Sequence, residues 1–207
     1  MRLLHRLEYR KKEPFRDASI IIIVCEGKRR EPDYFNFFDR LDSRLKIIVV
    51  PSQDGASAPN HLLQNAHFAV EKHIKDSGSF KLWIVLDVDR WKPKQIQAIT
   101  KACDEKEQWN FAFSNPCFEV WLYYHGRKNP PKPVPGKCND WKRLVNKTFP
   151  GGFNSGYHPG LLGDAIKNAK KNYSNQGHLP DCGSTQVFSL GEVIHEILKN
   201  KGLLPEG

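Results

Sequence analysis

The chain has 207 residues, 39% of them hydrophobic, and a formal net charge of +9 at neutral pH. This length can bury one good core, as a single elaborated domain or as two small ones, and we favour a single core with an appended part. The longest apolar run, residues 20–25, is far shorter than the roughly 20 residues of a membrane helix, so we expect neither a membrane span nor a secretory route. The excess of positive charge favours an anionic partner.

The five cysteines are odd in number and irregularly spaced, in a chain too long to depend on disulfide bonds. We therefore expect a reducing cytoplasm. Cys25 and Cys117 are interpreted as small buried hydrophobic residues, because each lies in or beside an apolar run. A weaker alternative for other cysteines is a structural zinc site, which no C-x-x-C pair would anchor. Its ligands would be Cys138, His158, His178 and Cys182.

The first predicted element is a strand at residues 20–25, a mostly β-branched run without polar alternation. Such a run is typical of a strand buried on both faces of a parallel sheet. Glu26 and Gly27 end it, and Pro32 suits the first turn of a short amphipathic helix. The apolar residues at helical spacing are Tyr34, Phe38 and Leu41. A second strand is predicted at 45–50.

A loop at 52–58 leads to a second helix, which we expect Gly78 to close. Its apolar face consists of Leu62, Ala66, Val70 and Ile74. A third strand is predicted at 82–86, a polar and exposed helix at 93–109, and a fourth strand at 110–113.

Four predicted strands thus alternate with helices. This order implies right-handed crossovers and a mainly parallel, Rossmann-like α/β sheet, whose carboxyl strand ends share one edge. Ligands of open α/β sheets bind at that edge. The polar residues that it should collect are Glu26, Asp87, Asp89 and Ser114.

The composition changes to Pro, Gly, Lys and Asn at 126–160, where clustered prolines should deny regular structure to much of the segment. Helices are predicted again at 161–171 and 190–199. We therefore expect a core at 18–125, and a basic, loop-rich insertion with C-terminal helices at 126–207 that completes the same domain.

The segment 127–171 carries ten Lys or Arg residues against two acidic residues, a net charge of +8. It is either a solvated surface or a surface that binds nucleic acid. Aromatic residues in the segment favour nucleic acid, because bases stack on such rings. These residues are Trp141, Phe149, Phe153 and Tyr157. The predicted phosphate contacts are Lys142, Arg143 and Lys147.

Carboxylates directly follow two of the predicted buried strands. Asp87 and Asp89 lie two residues apart, so both side chains would face the same way in an extended segment. A lone D-x-D pattern is as often an ordinary loop, but Glu26 adds a third carboxylate at the same edge. Hard oxygen ligands suit Mg²⁺ or Mn²⁺, and Gly27 would leave room for the backbone to approach a phosphate. We therefore predict a catalytic metal site formed by Glu26, Asp87 and Asp89.

Several segments together carry a resemblance to a known family. They are IIIVCEG (21–27), EPDYF (31–35), WIVLDVD (83–89), SNPCFEVWL (114–122) and, more weakly, GSTQVFSLGEVI (183–194). This joint pattern resembles the RloB-like family. No resemblance to a known family is found for 126–160.

The resemblance implies a Toprim-like fold and an association with restriction and phage-defence loci, often beside an AAA-type ATPase. It also implies that Asp87 and Asp89 form the metal pair, with Glu26 as a metal ligand or general acid/base. A divalent metal in such a site would polarise the phosphodiester, generate hydroxide from water or stabilise the leaving oxygen. Whether a second ion binds is left open.

Other residues at this edge have two interpretations each. Glu119 either supplies another metal-binding carboxylate or complements the dipole of a core helix, which the apolar residues around 118–124 predict. Ser114 and Asn115 are expected to cap that helix and to lie at the rim of the site. The cations after Gly27 either clamp a scissile phosphate or are simply solvated. These cations are Lys28, Arg29 and Arg30.

The sequence predicts a metal-dependent nuclease that hydrolyses phosphodiester bonds of nucleic acid, with RNA, including tRNA, slightly preferred over DNA. The alternative is a non-catalytic nucleic-acid-binding or regulatory subunit of an ATPase partner. The three carboxylates favour the enzyme, because a binding module does not need them. Glycosyltransferases and phosphatases with D-x-D motifs fit less well, because neither class explains the basic segment. The oligomeric state is left open.

Overall fold

The computed structural model describes residues 19–52, 58–74 and 79–203. Its main sheet has four parallel strands in the order β2-β1-β3-β4. The strands are β1 (Ser19–Cys25), β2 (Leu45–Pro51), β3 (Phe80–Asp87) and β4 (Trp109–Ser114). Helices pack on both faces of this sheet, which confirms the predicted Rossmann-like α/β fold.

Three helices connect the strands. They are α1 (Arg30–Asp39), α2 (Pro59–His73) and α3 (Pro93–Asp104). α1 ends before Leu41, which is exposed, so Leu41 does not extend the apolar face as predicted. The predicted end of the second helix at Gly78 lies outside the described residues. α3 ends five residues before the predicted 109 and is not merely a surface helix, because Ile96 and Ile99 are buried.

The central strand β1 is buried on both faces, as its unbroken apolar sequence predicts. Ile21 and Ile23 contribute to the core on the side of α1, whereas Ile22 and Val24 contribute to the core on the side of α2 and α3. Apolar contacts on both faces of the sheet therefore fix the position of β1. A side chain at its carboxyl end is held in a defined place.

The C-terminal part of the chain is more regular than predicted. Its elements are α4 (Glu119–Tyr124), α5 (Cys138–Thr148), a 3₁₀ turn (His158–Leu161), α6 (Leu162–Lys171), the hairpin strands β5 (Asn175–Gln176) and β6 (Leu179–Pro180), and α7 (Val187–Asn200). α4 is buried along its whole length, as expected for a core helix. α5 was not predicted, because the prolines that precede it dominate the composition of the segment.

The aromatic residues of the basic segment belong mainly to the core. Trp141, Phe149 and Phe153 are buried in the cluster that also contains α1 and α4, whereas Tyr157 is 59% exposed. The prediction that these rings are available for base stacking is therefore wrong for three of the four. Their burial packs α5 and the segment after it against α4 and α1 through apolar contacts.

The chain returns to the sheet after β6 and covers part of the outer side of β4. Thr185 forms an antiparallel bridge with Ser114, and the Gln186 N–H donates to the Phe113 carbonyl at 2.7 Å. The Tyr124 hydroxyl also donates to the Gly183 carbonyl at 3.1 Å. The longest described helix, α2, has 15 residues, and none of the described helices is long and apolar enough to span a bilayer.

Candidate active site

Glu26 is the first residue after β1 and is 7% exposed at the carboxyl edge of the sheet. Its Oε2 accepts hydrogen bonds from the Asp87 N–H and from Trp91 Nε1, both at 3.2 Å. Its Oε1 lies 4.0 Å from Arg90 Nη1. Burial raises the pKa of Glu26, and these donors and the arginine oppose that increase. Glu26 is thus held in one orientation by the last residue of β3 and by the turn that follows it.

Asp87 ends β3, and its Oδ1 accepts the Phe118 N–H at 2.8 Å. Burial, followed by the nearby charges of Glu31 and Glu26, raises the pKa of Asp87 well above its ordinary value. Asp89 lies in the turn after the strand and is exposed. The extended D-x-D geometry expected for the pair is therefore wrong, because the strand ends at its first member. Both residues nevertheless line the same cavity.

Glu31 is a further acidic residue of this site that the sequence analysis did not select. It lies in the first turn of α1, is 6% exposed, and its Oε1 accepts the Gly27 N–H at 3.1 Å. Burial chiefly, with the charges of Glu119 and Glu26, raises the pKa of Glu31 to about 7. A glutamate before proline in a first helical turn is usually a simple dipole partner, so local sequence gave no reason to single it out.

Gly27 contacts the Glu31 carboxylate closely. A Cβ atom at position 27 would lie 2.0 Å from Glu31 Oε2, so a larger residue must shift that carboxylate. The Gly27 N–H donates to Glu31 Oε1. Gly27 therefore positions an acidic residue of the site.

Glu119 begins α4 and is 6% exposed. It lies in the first turn of the helix and also lines the cavity. Its Oε2 is 3.4 Å from Cys138 Sγ. Cys138 forms a disulfide bond with Cys117, so the interpretation of Cys117 as a simple buried hydrophobic residue is wrong. Cys25, in contrast, is a buried free thiol.

These residues surround a cavity of about 400 Å³ at the carboxyl edge of the sheet. Its five carboxylates are Glu26, Glu31, Asp87, Asp89 and Glu119. Its four cations are Lys28, Arg30, Arg90 and Lys142. The carboxylates come from the ends of β1 and β3 and the starts of α1 and α4, and their mutual repulsion favours a bound cation.

The oxygen donors of this cavity fit a hard divalent ion such as Mg²⁺ or Mn²⁺ in their chemistry. The distances between these carboxylate oxygens are long, however. Among the described residues, three ligand atoms lie within 4.8 Å of one another only in the group of Cys117, Glu119 and Cys138. Glu26 and Asp87 each commit one oxygen to backbone or indole donors and keep the other. A magnesium ion would therefore draw the remaining oxygens inward.

Other predicted site residues lie away from the cavity or have structural partners. Ser114 is buried and its hydroxyl bonds the Thr185 hydroxyl at 2.8 Å, while the Asn115 amide donates to the Pro180 carbonyl at 2.8 Å. Neither caps α4, which has no side-chain cap, so that prediction is wrong. Three predicted phosphate contacts are exposed but do not line the cavity. They are Arg29, Arg143 and Lys147.

The fold and the site define an α/β protein with an acidic cavity at the carboxyl edge of a parallel sheet. The chain belongs to the RloB-like protein family, whose model matches residues 21–194. The match runs through 126–160, for which the sequence analysis found no resemblance. No curated protein and no solved structure matches the chain.

Proposed function

We propose that the protein is a metal-dependent nuclease of the Toprim type. The observation that carries this proposal is the gathering of five carboxylates, three of them less than 10% exposed, around one cavity at the sheet edge. Buried carboxylates without equal compensation are unfavourable, so such a set is expected where a cation is bound. A non-catalytic binding subunit gives no reason for it.

Glu26, Asp87 and Asp89 would hold Mg²⁺ or Mn²⁺, with Glu119 and Glu31 as further carboxylates. When bound, the metal would supply charge for the scissile phosphate and lower the pKa of water. Glu26 would contribute Oε1, because its Oε2 is already held by the Asp87 N–H and the Trp91 indole. Asp87 would contribute Oδ2, since its Oδ1 accepts the Phe118 N–H. These hydrogen bonds fix both carboxylates before any ligand arrives.

The substrate would be nucleic acid, with RNA, including tRNA, preferred. Lys28, Arg30 and Lys142 line the cavity and would contact phosphates on either side of the cleaved bond. Arg90, close to Glu26, would balance the metal ligands in the free protein. Because three of the four aromatic rings of the basic segment are buried, recognition would depend on phosphates rather than on base stacking.

A role in phage defence beside an AAA-type ATPase follows from the resemblance to the family and is part of this proposal. The cytoplasm is the expected location. The proposal also includes a single domain, with a core at 18–125 that is completed by residues 126–207. The apolar cluster that α1, α4 and α5 share supports this division.

The test is cleavage of tRNA, single-stranded DNA and duplex DNA by the purified full chain, with Mg²⁺, Mn²⁺ or EDTA. Glu26→Gln keeps the size of the side chain and should remove activity. Glu105→Gln is the matched control, because Glu105 is exposed and contacts only Lys101 at 4.0 Å among the ion pairs of the described residues. Metal-independent binding without cleavage on every substrate would favour the regulatory-subunit alternative.

A further inference from the structure

Two sulfur atoms lie beside the acidic cavity but have no part in the proposed nuclease reaction. Cys117 lies between β4 and α4 and is fully buried, and Cys138 is the first residue of α5. A disulfide joins them across 21 residues of sequence. The third member of this cluster is the Glu119 carboxylate, 3.4 Å from Cys138 Sγ.

We propose that the reduced form of this cluster is a zinc site, with Cys117, Cys138 and Glu119 as ligands. The two sulfurs and a carboxylate oxygen lie within 4.8 Å of one another. Two thiolates and one carboxylate suit Zn²⁺, which is borderline-soft, whereas Mg²⁺ prefers an all-oxygen shell. The inference shares Glu119 with the proposed nuclease site, but its test measures zinc binding and does not depend on nuclease activity.

Zinc and the disulfide exclude each other at this site. A thiol reductant would transfer two electrons and two protons to the sulfur–sulfur bond, giving two thiols and an oxidised, disulfide form of the reductant. Zn²⁺ would then replace the two thiol protons, since the thiolate is the ligand. The redox state of the pair therefore decides whether the metal can bind.

The protein frame would keep the two sulfurs adjacent after reduction. Trp141 is fully buried one turn after Cys138, and its Nε1 donates to the Pro135 carbonyl at 2.8 Å. Its ring also packs edge-on against Tyr123 of α4, with centroids 5.3 Å apart. α5 is thus anchored to α4 by contacts other than the disulfide. A disordered ligand would lose entropy on metal binding, and this cost is largely absent here.

The backbone geometry suits a chelate. The Cα atoms of Cys117 and Cys138 are 5.7 Å apart. Zn–S bonds of about 2.3 Å would place the sulfurs of a tetrahedral site about 3.8 Å apart, a separation that side-chain rotation can reach. Three protein ligands leave a fourth position, which would face the cavity that Glu119 and Cys138 both line. The site would therefore be open rather than closed.

This cluster differs from the zinc ligands that the sequence offered, which were Cys138, His158, His178 and Cys182. Cys182 is exposed and contacts the Pro135 carbonyl, and His158 packs against Phe149. Only Cys138 belongs to both sets. The three-dimensional group takes its other members from the start of α4.

The test measures zinc binding by the full chain, reduced with a phosphine and freed of metal. A colorimetric zinc indicator should report one more bound ion per chain than for the same protein oxidised with a small disulfide, because the carboxylates of the cavity are present in both forms. Co²⁺ should give the intense near-ultraviolet band of thiolate-to-cobalt charge transfer, which the oxidised protein should lack. Cys117→Ser and Cys138→Ser should each lose that band and the additional ion. Cys182→Ser is the matched control and should behave as the wild type.

Labelling with iodoacetamide, located by peptide mass spectrometry, gives a second measurement on unmutated protein. Zinc should slow alkylation of Cys117 and Cys138 at least tenfold and leave Cys182 unchanged. The proposal would be overturned if both serine variants bound as much zinc as the wild type, or if zinc left the alkylation rates of Cys117 and Cys138 unchanged. Neither result would touch the nuclease proposal, whose readout is cleavage with Mg²⁺.

Discussion

The five carboxylates around the cavity form an acidic edge of the sheet, and the segment 127–171 is a basic segment. The two regions differ in how far their charged side chains are exposed to solvent. At the edge, Glu26, Glu31 and Glu119 are each less than 10% exposed and fixed by neighbouring elements. In the basic segment all ten Lys and Arg side chains are exposed, and only Lys142 reaches the cavity. Buried carboxylates are costly unless they are neutralised or paired, whereas exposed cations supply a general attraction for anions.

The largest effect should come from Asp87→Asn. The variant keeps an oxygen to accept the Phe118 N–H but removes the charge that a metal needs. We expect Mg²⁺-dependent cleavage to fall by about a hundredfold or more, because the metal and phosphate lose their alignment. Single-turnover cleavage assays would measure this. Cleavage by Asp87→Asn at the wild-type rate would remove Asp87 from the site, while Glu105→Gln should retain full activity.

Reversing Lys142, Arg143 and Lys147 together to Glu should weaken the binding of nucleic acid. Each phosphate contact contributes a salt slope of about −0.7 for single strands or −0.9 for duplex, so the slope should shrink by roughly two to three. Fluorescence anisotropy over a salt series would measure it.

The matched control for that variant reverses three exposed lysines that lie outside the basic segment and do not line the cavity. These are Lys81, Lys94 and Lys101. The control has the same change in net charge, so an equal loss in both variants would mean that only overall charge matters. Lys142→Glu alone should also reduce the cleavage rate, whereas Lys147→Glu alone should not, because only Lys142 lines the cavity.

Gly27→Ala should disturb the acidic edge through packing alone. The new Cβ would overlap the Glu31 carboxylate, 2.0 Å from its Oε2, and must displace it. We expect a loss of about 1–3 kcal/mol in the free energy of unfolding, together with slower cleavage. Gly136→Ala is the control, since nothing lies within 4 Å of the added atom there. Equal unfolding midpoints in urea for the two variants would contradict the role assigned to Gly27.

The smallest effect concerns pH and the metal-free protein. Folding raises the pKa of Asp87, so the folded state binds more protons than the unfolded state once pH exceeds the unfolded value. Stability is therefore lost as pH rises towards the folded pKa. Asp87→Asn should be more stable than the wild type by about 1 kcal/mol near pH 8 in EDTA, and by less near pH 5. Urea titrations at both pH values would measure the difference in the free energy of unfolding between the two proteins. A wild type more stable than Asp87→Asn at pH 8 would contradict the prediction.

Mg²⁺ should then remove this difference. An ion that binds only the folded wild type adds stability, and Asp87→Asn should gain little. A thermal-shift series in Mg²⁺ would show the two curves approaching or crossing. Equal gains for both proteins would place the ion elsewhere.

Much of the acidic edge could be predicted from sequence because its signals are local. The apolar run of β1 followed at once by Glu26, and that of β3 followed by Asp87, specify both a buried strand and a polar group at its end. Alternation of strands and helices then places the two ends at the same edge of the sheet. α5 was missed because Pro and Gly dominate the composition around it, although Trp141 and Val145 form its buried face.

The sequence by itself indicated the order of the strands and helices along the chain, the buried character of β1, the family of the chain, and three of the carboxylates that line the cavity, Glu26, Asp87 and Asp89. Only the tertiary structure decided that Glu31 joins them, that Trp141 is core rather than a stacking surface, and that Cys117 meets Cys138. Periodicity and strand-end residues are properties of a few consecutive positions. The other contacts join segments far apart in the chain, and their partners depend on how whole elements pack, which no local pattern encodes.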